Sequence, residues 1–173
     1  MFETNSSSTH SMCIPNDSLS ASFEFPCTLI VTRKSYGGEF HVLDIPEDKA
    51  SYFYSALLTK FADDKETLES WKNHFVKVLE KAGVFAFFDD YNVYRLKDDN
   101  YDFPFNNFSF NNYTFDQFLK FIKSDENLLN FIFNPNCFVV TGNNDDVCPN
   151  EIQTLINEKT RKAESSGTIT WLK

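Results

Sequence analysis

The chain lacks the patterns that identify most enzymes, membrane proteins and secreted proteins. Its 173 residues contain no Walker loop, no G-x-G-x-x-G, no G-x-S-x-G and no H-E-x-x-H, so the common nucleotide-binding, hydrolase and zinc-protease signatures are absent. No apolar run approaches the roughly 20 residues of a bilayer-spanning helix, and no signal peptide is recognisable. We therefore expect a cytoplasmic protein of a bacterial host cell, without a membrane partner.

Basic residues are also scarce. The chain has 16 Lys and Arg against 25 Asp and Glu, a net charge of -9 and a pI of about 4.7. Proteins that bind nucleic acid directly usually present a basic face and have a pI above about 9. We therefore expect no direct nucleic-acid partner. An acidic protein is attracted to basic surfaces, including those of proteins that handle nucleic acid, although the charge could equally serve solubility alone.

The cysteines form no C-x-x-C pair, so the sequence indicates neither a zinc ribbon nor a redox motif. The four are Cys13, Cys27, Cys137 and Cys148. One His-x-x-Cys pair, formed by His10 and Cys13, is too little to predict zinc binding, and buried structural cysteines are the preferred interpretation. We expect reduced thiols and no cofactor.

Phe and Asn, by contrast, are abundant. Phe occurs 20 times, whereas Met and Trp occur twice each. Phe, Asn, Lys, Ile and Tyr have AT-rich codons, so the composition indicates a low-GC genome. A chain of this length normally buries roughly 70% of its unfolded surface, so the aromatic residues can supply a substantial core.

Hydrophobic patterning predicts helices in the middle of the chain. Pro46 opens a helix that runs to about Phe61. A second helix begins near Asp63 or Asp64, where Asp63 and Glu66 have capping spacing, and ends at Gly83. Three further helical segments are predicted: one that Thr114 and Gln117 cap, Leu128–Phe133 and Pro149–Lys162.

Short runs of β-branched and apolar residues predict strands at both ends of the chain. Gly37 and Gly38 suit a tight turn within a hairpin from Cys27 to Leu43. The other predicted strands are Thr9–Ile14, a hairpin of Val84–Phe88 with Tyr91–Leu96, Cys137–Thr141 and Thr168–Leu172. No linker divides residues 1–173, so we predict one α+β domain with a mixed, mostly antiparallel sheet covered by about four helices.

The N-terminal segment concentrates hydroxyl and amide side chains beside a histidine. Such groups could bind the phosphate of a nucleotide, and Ser7 or Ser8 could act as a nucleophile with His10 as its base. The alternative interpretation is a polar segment that leads into the first strand. The candidate ligand-binding residues are Asn5, Ser6, Ser7, Ser8, Thr9 and His10.

The sequence FETNSSSTHS at residues 2–11 resembles the opening of a group of small, uncharacterised proteins from low-GC Gram-positive bacteria and their phages. A second, weaker similarity lies in the V-V-T-G-N-N-D-D segment from Val139 to Asp146. No activity is established for that group, so the resemblance supplies no catalytic residue. It implies a phage or mobile-element setting.

Aromatic residues recur every five positions in residues 101–115, where FNNFSF is nearly repeated as FNNYTF. This period matches neither helix nor strand, so we predict an irregular loop. Residues 98–146 contain eight acids against two lysines, a net charge of -6. Aromatic rings and carboxylates together are suited to binding a basic surface of another protein, although the rings could instead pack on the core of this protein. The candidate protein-binding residues are Asp98, Asp99, Asp102, Phe105, Phe108, Phe110 and Tyr113.

Asp145 and Asp146 lie in an acidic turn that could bind a hard cation, alone or together with a second acidic pair, Asp89 and Asp90. Adjacent aspartates on an extended chain point in different directions, and such clusters are ordinary turn formers. A solvated turn is therefore the preferred interpretation, and no metal site is predicted.

Two functional hypotheses follow. In the first, a phage or mobile-element accessory protein binds and inhibits a basic host protein, for example a nucleic-acid-handling defence component. In the second, a small enzyme or ligand-binding protein acts on a nucleotide or phosphorylated substrate through the cluster from Asn5 to Ser11. The first is preferred because acidity and aromatic residues are evident, whereas enzyme motifs are missing.

Overall fold

The computed structural model describes residues 8–16, 18–20, 22–34, 36, 39–89, 112–143, 147–167 and 169–172. Within these residues the α+β class is confirmed. The strands are β1 (Ser8–Pro15), β2 (Thr28–Thr32), β3 (His41–Leu43), β4 (Phe85–Asp89), β5 (Phe138–Asn143) and β6 (Ile169–Leu172). The helices are α1 (Pro46–Lys60), α2 (Lys65–Lys81), α3 (Asn112–Ile122), α4 (Asp125–Phe133) and α5 (Asn150–Ser166). In the described part of the chain, no helix is both long and apolar enough to cross a bilayer.

The larger sheet is antiparallel and has the strand order β3-β5-β1-β6. Successive side chains of a strand point to opposite faces, and β1 follows this rule. Met12 and Ile14 join the main core, whereas Cys13 joins a second cluster with Phe138 and with Ala163 of α5. The sheet therefore lies between the main core and the C-terminal helix.

The smaller sheet pairs β2 with β4 in parallel. The hairpin predicted from Cys27 to Leu43 is wrong, because β3 pairs with β5 instead of with β2. Both strands gain apolar contacts in this arrangement: Leu29 and Val31 of β2 enter the main core, and Leu43 of β3 lies opposite Val139. The predicted strand at Val84–Phe88 is confirmed as β4, while its proposed hairpin partner, residues 91–96, lies outside the described residues.

Helix α1 is the central helix of the fold, since nine consecutive residues, from Lys49 to Leu57, are buried. Pro46 occupies its first turn, as predicted. A helix buried on all sides is usually apolar on all sides, but α1 carries Lys49, Ser51 and Ser55 in the buried stretch. Each of these polar side chains hydrogen-bonds another segment of the chain.

Helix α2 begins after Asp64, whose carboxylate accepts a hydrogen bond from the Thr67 amide at 3.0 Å. Asp64, and not Asp63, is thus the capping residue. The helix ends where predicted, because Gly83 adopts a φ of 78°, in the left-handed region that favours glycine.

In the C-terminal half, the predicted start of one helix is wrong. Helix α3 begins at Asn112, so Thr114 lies inside the helix and does not cap it. Phe118 and Ile122 of this helix are fully buried in the core. The remaining predicted elements correspond to α4, β5, α5 and β6.

Candidate functional site

The N-terminal cluster is described only from Ser8 onward. Residues 5–7, which include the candidate nucleophile Ser7, lie outside the described residues. The backbone of Ser8 and Thr9 opens strand β1 and lies opposite Asn143 and Gly142 of β5. The nucleotide-binding role of this cluster therefore stays a prediction, and His10 is its one member whose side-chain environment is described.

His10 lies in the core with 5% of its surface exposed. Its Nδ1 atom is 3.2 Å from the hydroxyl of Tyr52 on α1. Burial disfavours the charged imidazolium and lowers the pKa of His10 to about 4, and burial also raises the pKa of Tyr52. Both groups are therefore neutral near pH 7. A general base works best with a pKa near the working pH, so this environment offers little support for acid–base catalysis by His10.

Thr141 lies between two histidines in the larger sheet, directly opposite His10 on one side and His41 on the other. Its side chain is fully buried, and its hydroxyl has no hydrogen-bond partner in the described part of the chain. His41 is half-exposed at the sheet edge. His10 and Thr141 are almost inaccessible to solvent. The side chain of His10, together with its neighbour Thr141, therefore presents little surface to a ligand.

Lys49 is a buried polar residue that sequence reasoning missed. Its ammonium group donates hydrogen bonds to the carbonyl oxygens of Asn134 and Cys137, at 2.7 and 2.9 Å. Burial lowers the pKa of Lys49 to about 8. These contacts tie α1 to the turn between α4 and β5, which is a structural role. Nothing in the local sequence around Lys49 distinguishes it from a solvated helical lysine.

Two of the four cysteines have the buried environment that favours inert thiols, whereas Cys27 is exposed and Cys148 is half-buried. The predicted buried structural role therefore applies to Cys13 and Cys137 and is wrong for Cys27. Cys13 and Cys137 are fully buried, and burial raises the pKa of these thiols to about 12 and about 11. No group of three metal-binding side chains occurs among the described residues. Asp145 and Asp146 lie outside that part of the chain, and their interpretation as a solvated turn stays a prediction.

A shallow depression lies along the solvent side of α2, beside His74. It is lined by residues of this one helix, including two lysines, Lys65 and Lys77, and two glutamates, Glu66 and Glu69. The opposite charges balance, and the only described polar partner of the His74 ring is the carbonyl oxygen of Ile122, 3.4 Å from Nε2. We therefore interpret this depression as the solvent-exposed side of α2 and not as a binding site.

Most of the acidic, aromatic segment lies outside the described residues, including Asp98, Asp99, Asp102, Phe105, Phe108 and Phe110. Tyr113 belongs to the first turn of α3. The irregular loop predicted for residues 101–115 is thus wrong from Asn112 onward, because the helix has already begun there. Protein binding by this segment stays a prediction.

The outer face of the β2–β4 sheet is the largest group of exposed apolar side chains that the described residues place together. Ile30 of β2 lies opposite Phe87 of β4, and Phe85 lies two residues before Phe87 on the same face. These side chains are 57%, 61% and 65% exposed. We call Ile30, Phe85 and Phe87 the apolar face. Asp89 continues it along β4, so the face ends at a carboxylate.

The sequence did not predict the apolar face, because the residue types of β4 are typical of a strand that is buried on both sides. Phe85, Ala86, Phe87 and Phe88 form one apolar run, which is typical of a buried strand. Only alternate members of that run pack on the core, namely Ala86 and Phe88. Which side of the strand faces the core depends on its pairing with β2, and the sequence does not reveal that pairing.

No protein-family model, curated protein or solved structure matches this chain.

Proposed function

We propose that this protein acts by binding another protein through the apolar face, and that the partner is a basic host protein whose activity it inhibits in a phage or mobile-element setting. The observation that carries the proposal is the exposure of Ile30, Phe85 and Phe87 on one sheet face. Contiguous exposed apolar groups on a small protein are typical of interaction sites. Aromatic side chains are also enriched among residues that dominate binding energy.

The parallel pairing of β2 with β4 supports the proposal that another protein covers the outer face of this sheet. Parallel sheets occur almost only where both faces are covered, and two strands alone have marginal stability in water. The inner face of the β2–β4 sheet packs on the core through Leu29, Val31 and Phe88. The outer face lacks an equivalent covering in the described part of the chain, as the exposures of Phe85 and Phe87 demonstrate. A partner protein would supply it.

The partner's charge follows from the charge of this chain. A net charge of -9 favours encounter with a basic surface. Asp89 closes one end of the apolar face. The expected partner surface therefore has an apolar centre and basic residues at its rim.

The nucleotide hypothesis receives less support. Its one described side chain, His10, is buried, neutral and hydrogen-bonded to Tyr52. We therefore place protein binding first.

The test compares three purified proteins as baits in a lysate of a low-GC Gram-positive host. They are the wild type, the double variant Phe85→Ser/Phe87→Ser and the control Val147→Ser, which removes an apolar side chain that is 92% exposed and lies outside the apolar face. Quantitative mass spectrometry should show basic proteins that the wild type and the control enrich equally. The double variant should recover them about tenfold less, because both anchoring rings are lost. Binding is then measured with the purified partner.

Equal recovery by the wild type and the double variant would remove the apolar face from the interface. The double variant should remain folded, which circular dichroism checks, since both rings are more than half exposed and lie outside the core. A parallel variant with alanine at Phe105, Phe108 and Phe110 tests the contribution of the acidic, aromatic segment separately.

A further inference from the structure

The inner face of the β2–β4 sheet is covered by helices. The Phe88 ring of β4 packs against Tyr54 of α1 and Phe75 of α2, with ring centroids 4.9 and 5.9 Å apart. Leu29 and Val31 of β2 enter the same core. Parallel sheets normally have helices on both faces, because their crossover connections place them there. The outer face of this sheet is thus the natural position for a further helix.

An added strand fits poorly beside β2, because α1 already occupies part of that edge. The Phe85 amide donates to the Cys27 carbonyl at 2.9 Å, so the backbone groups of Cys27 point toward β4. Backbone groups of successive strand residues point to opposite edges, and those of Thr32 and Lys34 therefore point away from β4. Both amides donate to serine hydroxyls of α1, at 3.0 and 2.9 Å. Helix α1 thus lies where a third strand would pair with the end of β2.

Burial of the exposed rings requires an element that lies across the face. Side chains of a strand stand roughly perpendicular to the sheet. A strand added at either edge would therefore leave the outer sides of Phe85 and Phe87 in contact with solvent. The elements that could cover both rings are a helix and a second sheet.

The dimensions of the face favour a helix. Neighbouring strands such as β2 and β4 lie about 4.8 Å apart, and a helix with its side chains is about 10 Å wide, so one helix covers both strands. A second sheet needs several strands for stability, and most of them would extend beyond this narrow face. Phe85 and Phe87 are about 6.6 Å apart along β4, close to the rise of about 6 Å between helical residues i and i+4.

The charges around the face favour basic residues beside the contact. Asp89 lies two residues beyond Phe87 on the same face. Two basic residues follow β2, but Lys34 is paired with Asp48 at 2.7 Å, and the Nε atom of Arg33 is buried. The net charge of -9 also attracts basic groups.

We infer that the partner contributes an amphipathic helix that lies across the apolar face. A stripe of apolar side chains, spaced three and four residues apart, contacts Ile30, Phe85 and Phe87, and lysine or arginine residues flank the stripe. This inference rests on the proposed protein-binding function and specifies the element that the partner presents.

The probe is a fluorescent synthetic helix of about 18 residues, roughly five turns, with leucine along one side and lysine and glutamine elsewhere. Three control peptides are a scrambled sequence of the same composition, the same helix with a central proline, and a sequence that alternates lysine and valine. Anisotropy with the full-length wild type should show about tenfold tighter binding of the striped helix than of any control, because only that helix presents an intact apolar side.

Variants of this protein locate the contact. Phe85→Ser/Phe87→Ser should bind the striped helix about tenfold more weakly than wild type, and Val147→Ser should bind it equally. Ile30→Ser tests the same face from β2 if the double variant folds poorly. In addition, a nitroxide on the apolar stripe should broaden the amide signals of Ile30 and Phe87 in nuclear magnetic resonance spectra more than those of α2, and this readout requires no variant.

Equal binding of the striped and scrambled peptides would reduce the contact to charge and overturn the helical mode. Tighter binding of the lysine–valine peptide, or no binding of the striped helix to wild type, would also overturn it. If the wild type is a dimer by analytical ultracentrifugation and Ile30→Ser is a monomer, a second copy covers the face and the inference fails. The proposed function has its own criterion, which is loss of the host partner from the Phe85→Ser/Phe87→Ser variant. It would stand after a failure of the peptide test if that loss is observed.

Discussion

Two basic side chains, His10 and Lys49, lie in the core instead of at the surface. Burial lowers the pKa of His10 to about 4 and that of Lys49 to about 8, because both lose the hydration that stabilises the charged form. Their partners are the Tyr52 hydroxyl and two backbone carbonyls, respectively. Each residue therefore links the stability of the fold to pH, in a different range.

His10 should destabilise the fold as the pH falls from 6.5 to 4. In that range the unfolded chain binds a proton at His10 that the folded chain does not, so the free energy of unfolding decreases toward low pH. The pKa difference corresponds to a loss of about 3 kcal/mol. His10→Gln, which can still accept a hydrogen bond from Tyr52, should lack this component. Urea unfolding of both proteins at several pH values measures the difference, and parallel pH profiles would contradict the prediction.

Lys49 should have an effect of the same sign in the alkaline range. Between pH 8 and 10.5 the unfolded chain keeps a proton that the folded chain releases, so this residue makes the free energy of unfolding increase with pH. Cys13 and Cys137 oppose that increase, since burial raises the pKa of both thiols. Comparison with Lys49→Met isolates the lysine. The wild-type stability minus that of the variant should rise by about 2 kcal/mol from pH 8 to pH 10, whereas a constant difference would exclude the linkage.

At the scale of elements, two serines of α1 accept hydrogen bonds from backbone amides at the C-terminal end of β2, as a neighbouring strand would do elsewhere in a sheet. Ser51 and Ser55 are one helical turn apart, and their hydroxyls accept hydrogen bonds from amides two residues apart on the chain. The side chains at positions i and i+4 of a helix share one face, so both serines face the same segment. This contact explains how β2 remains attached to α1 beyond the last residue that pairs with β4.

Ser51→Ala/Ser55→Ala should loosen that attachment. Each substitution leaves a backbone amide without its acceptor, at a cost of about 1 kcal/mol, so the double variant should lose about 2 kcal/mol of unfolding free energy. Hydrogen exchange at Thr32 and Lys34 should accelerate more than exchange in α2. Ser70→Ala, at an exposed serine of α2, is the control and should change neither quantity. Unchanged exchange at Thr32 and Lys34 in the double variant would show that the serines do not hold this segment.

At the scale of the whole molecule, one apolar cluster joins the two sheets. It contains Val31 from the smaller sheet and Met12 and Val139 from the larger sheet, with α1 between them. Because these residues share one core, neither sheet buries its apolar side without the other. Cooperative unfolding of both sheets should follow.

Val31→Ala and Val139→Ala should therefore lower the temperature of the same single unfolding transition. Each removes two methyl groups from a fully buried side chain, which costs about 2 kcal/mol. Differential scanning calorimetry together with circular dichroism at near-ultraviolet wavelengths provides the measurement. If Val31→Ala instead produced a second, earlier transition, the smaller sheet would be an independent unit.

Local pattern alone was sufficient for the helices and for the position of most strands. Pro46 and Gly83 act through backbone conformation within a few residues, so their effects are readable from the sequence. The spacing of Phe75, Val78 and Leu79 likewise predicts the buried side of α2 without knowledge of its neighbours.

Only the tertiary structure decided how the strands pair and which side chains are exposed. Ile30 lies opposite Phe87 because two intervening helices return the chain parallel to β2, and no local signal specifies that crossover. Lys49 is buried and Phe85 is exposed, against the usual preference of each residue type. Burial depends on contacts between residues distant in sequence, so the apolar face is a property of the assembled fold.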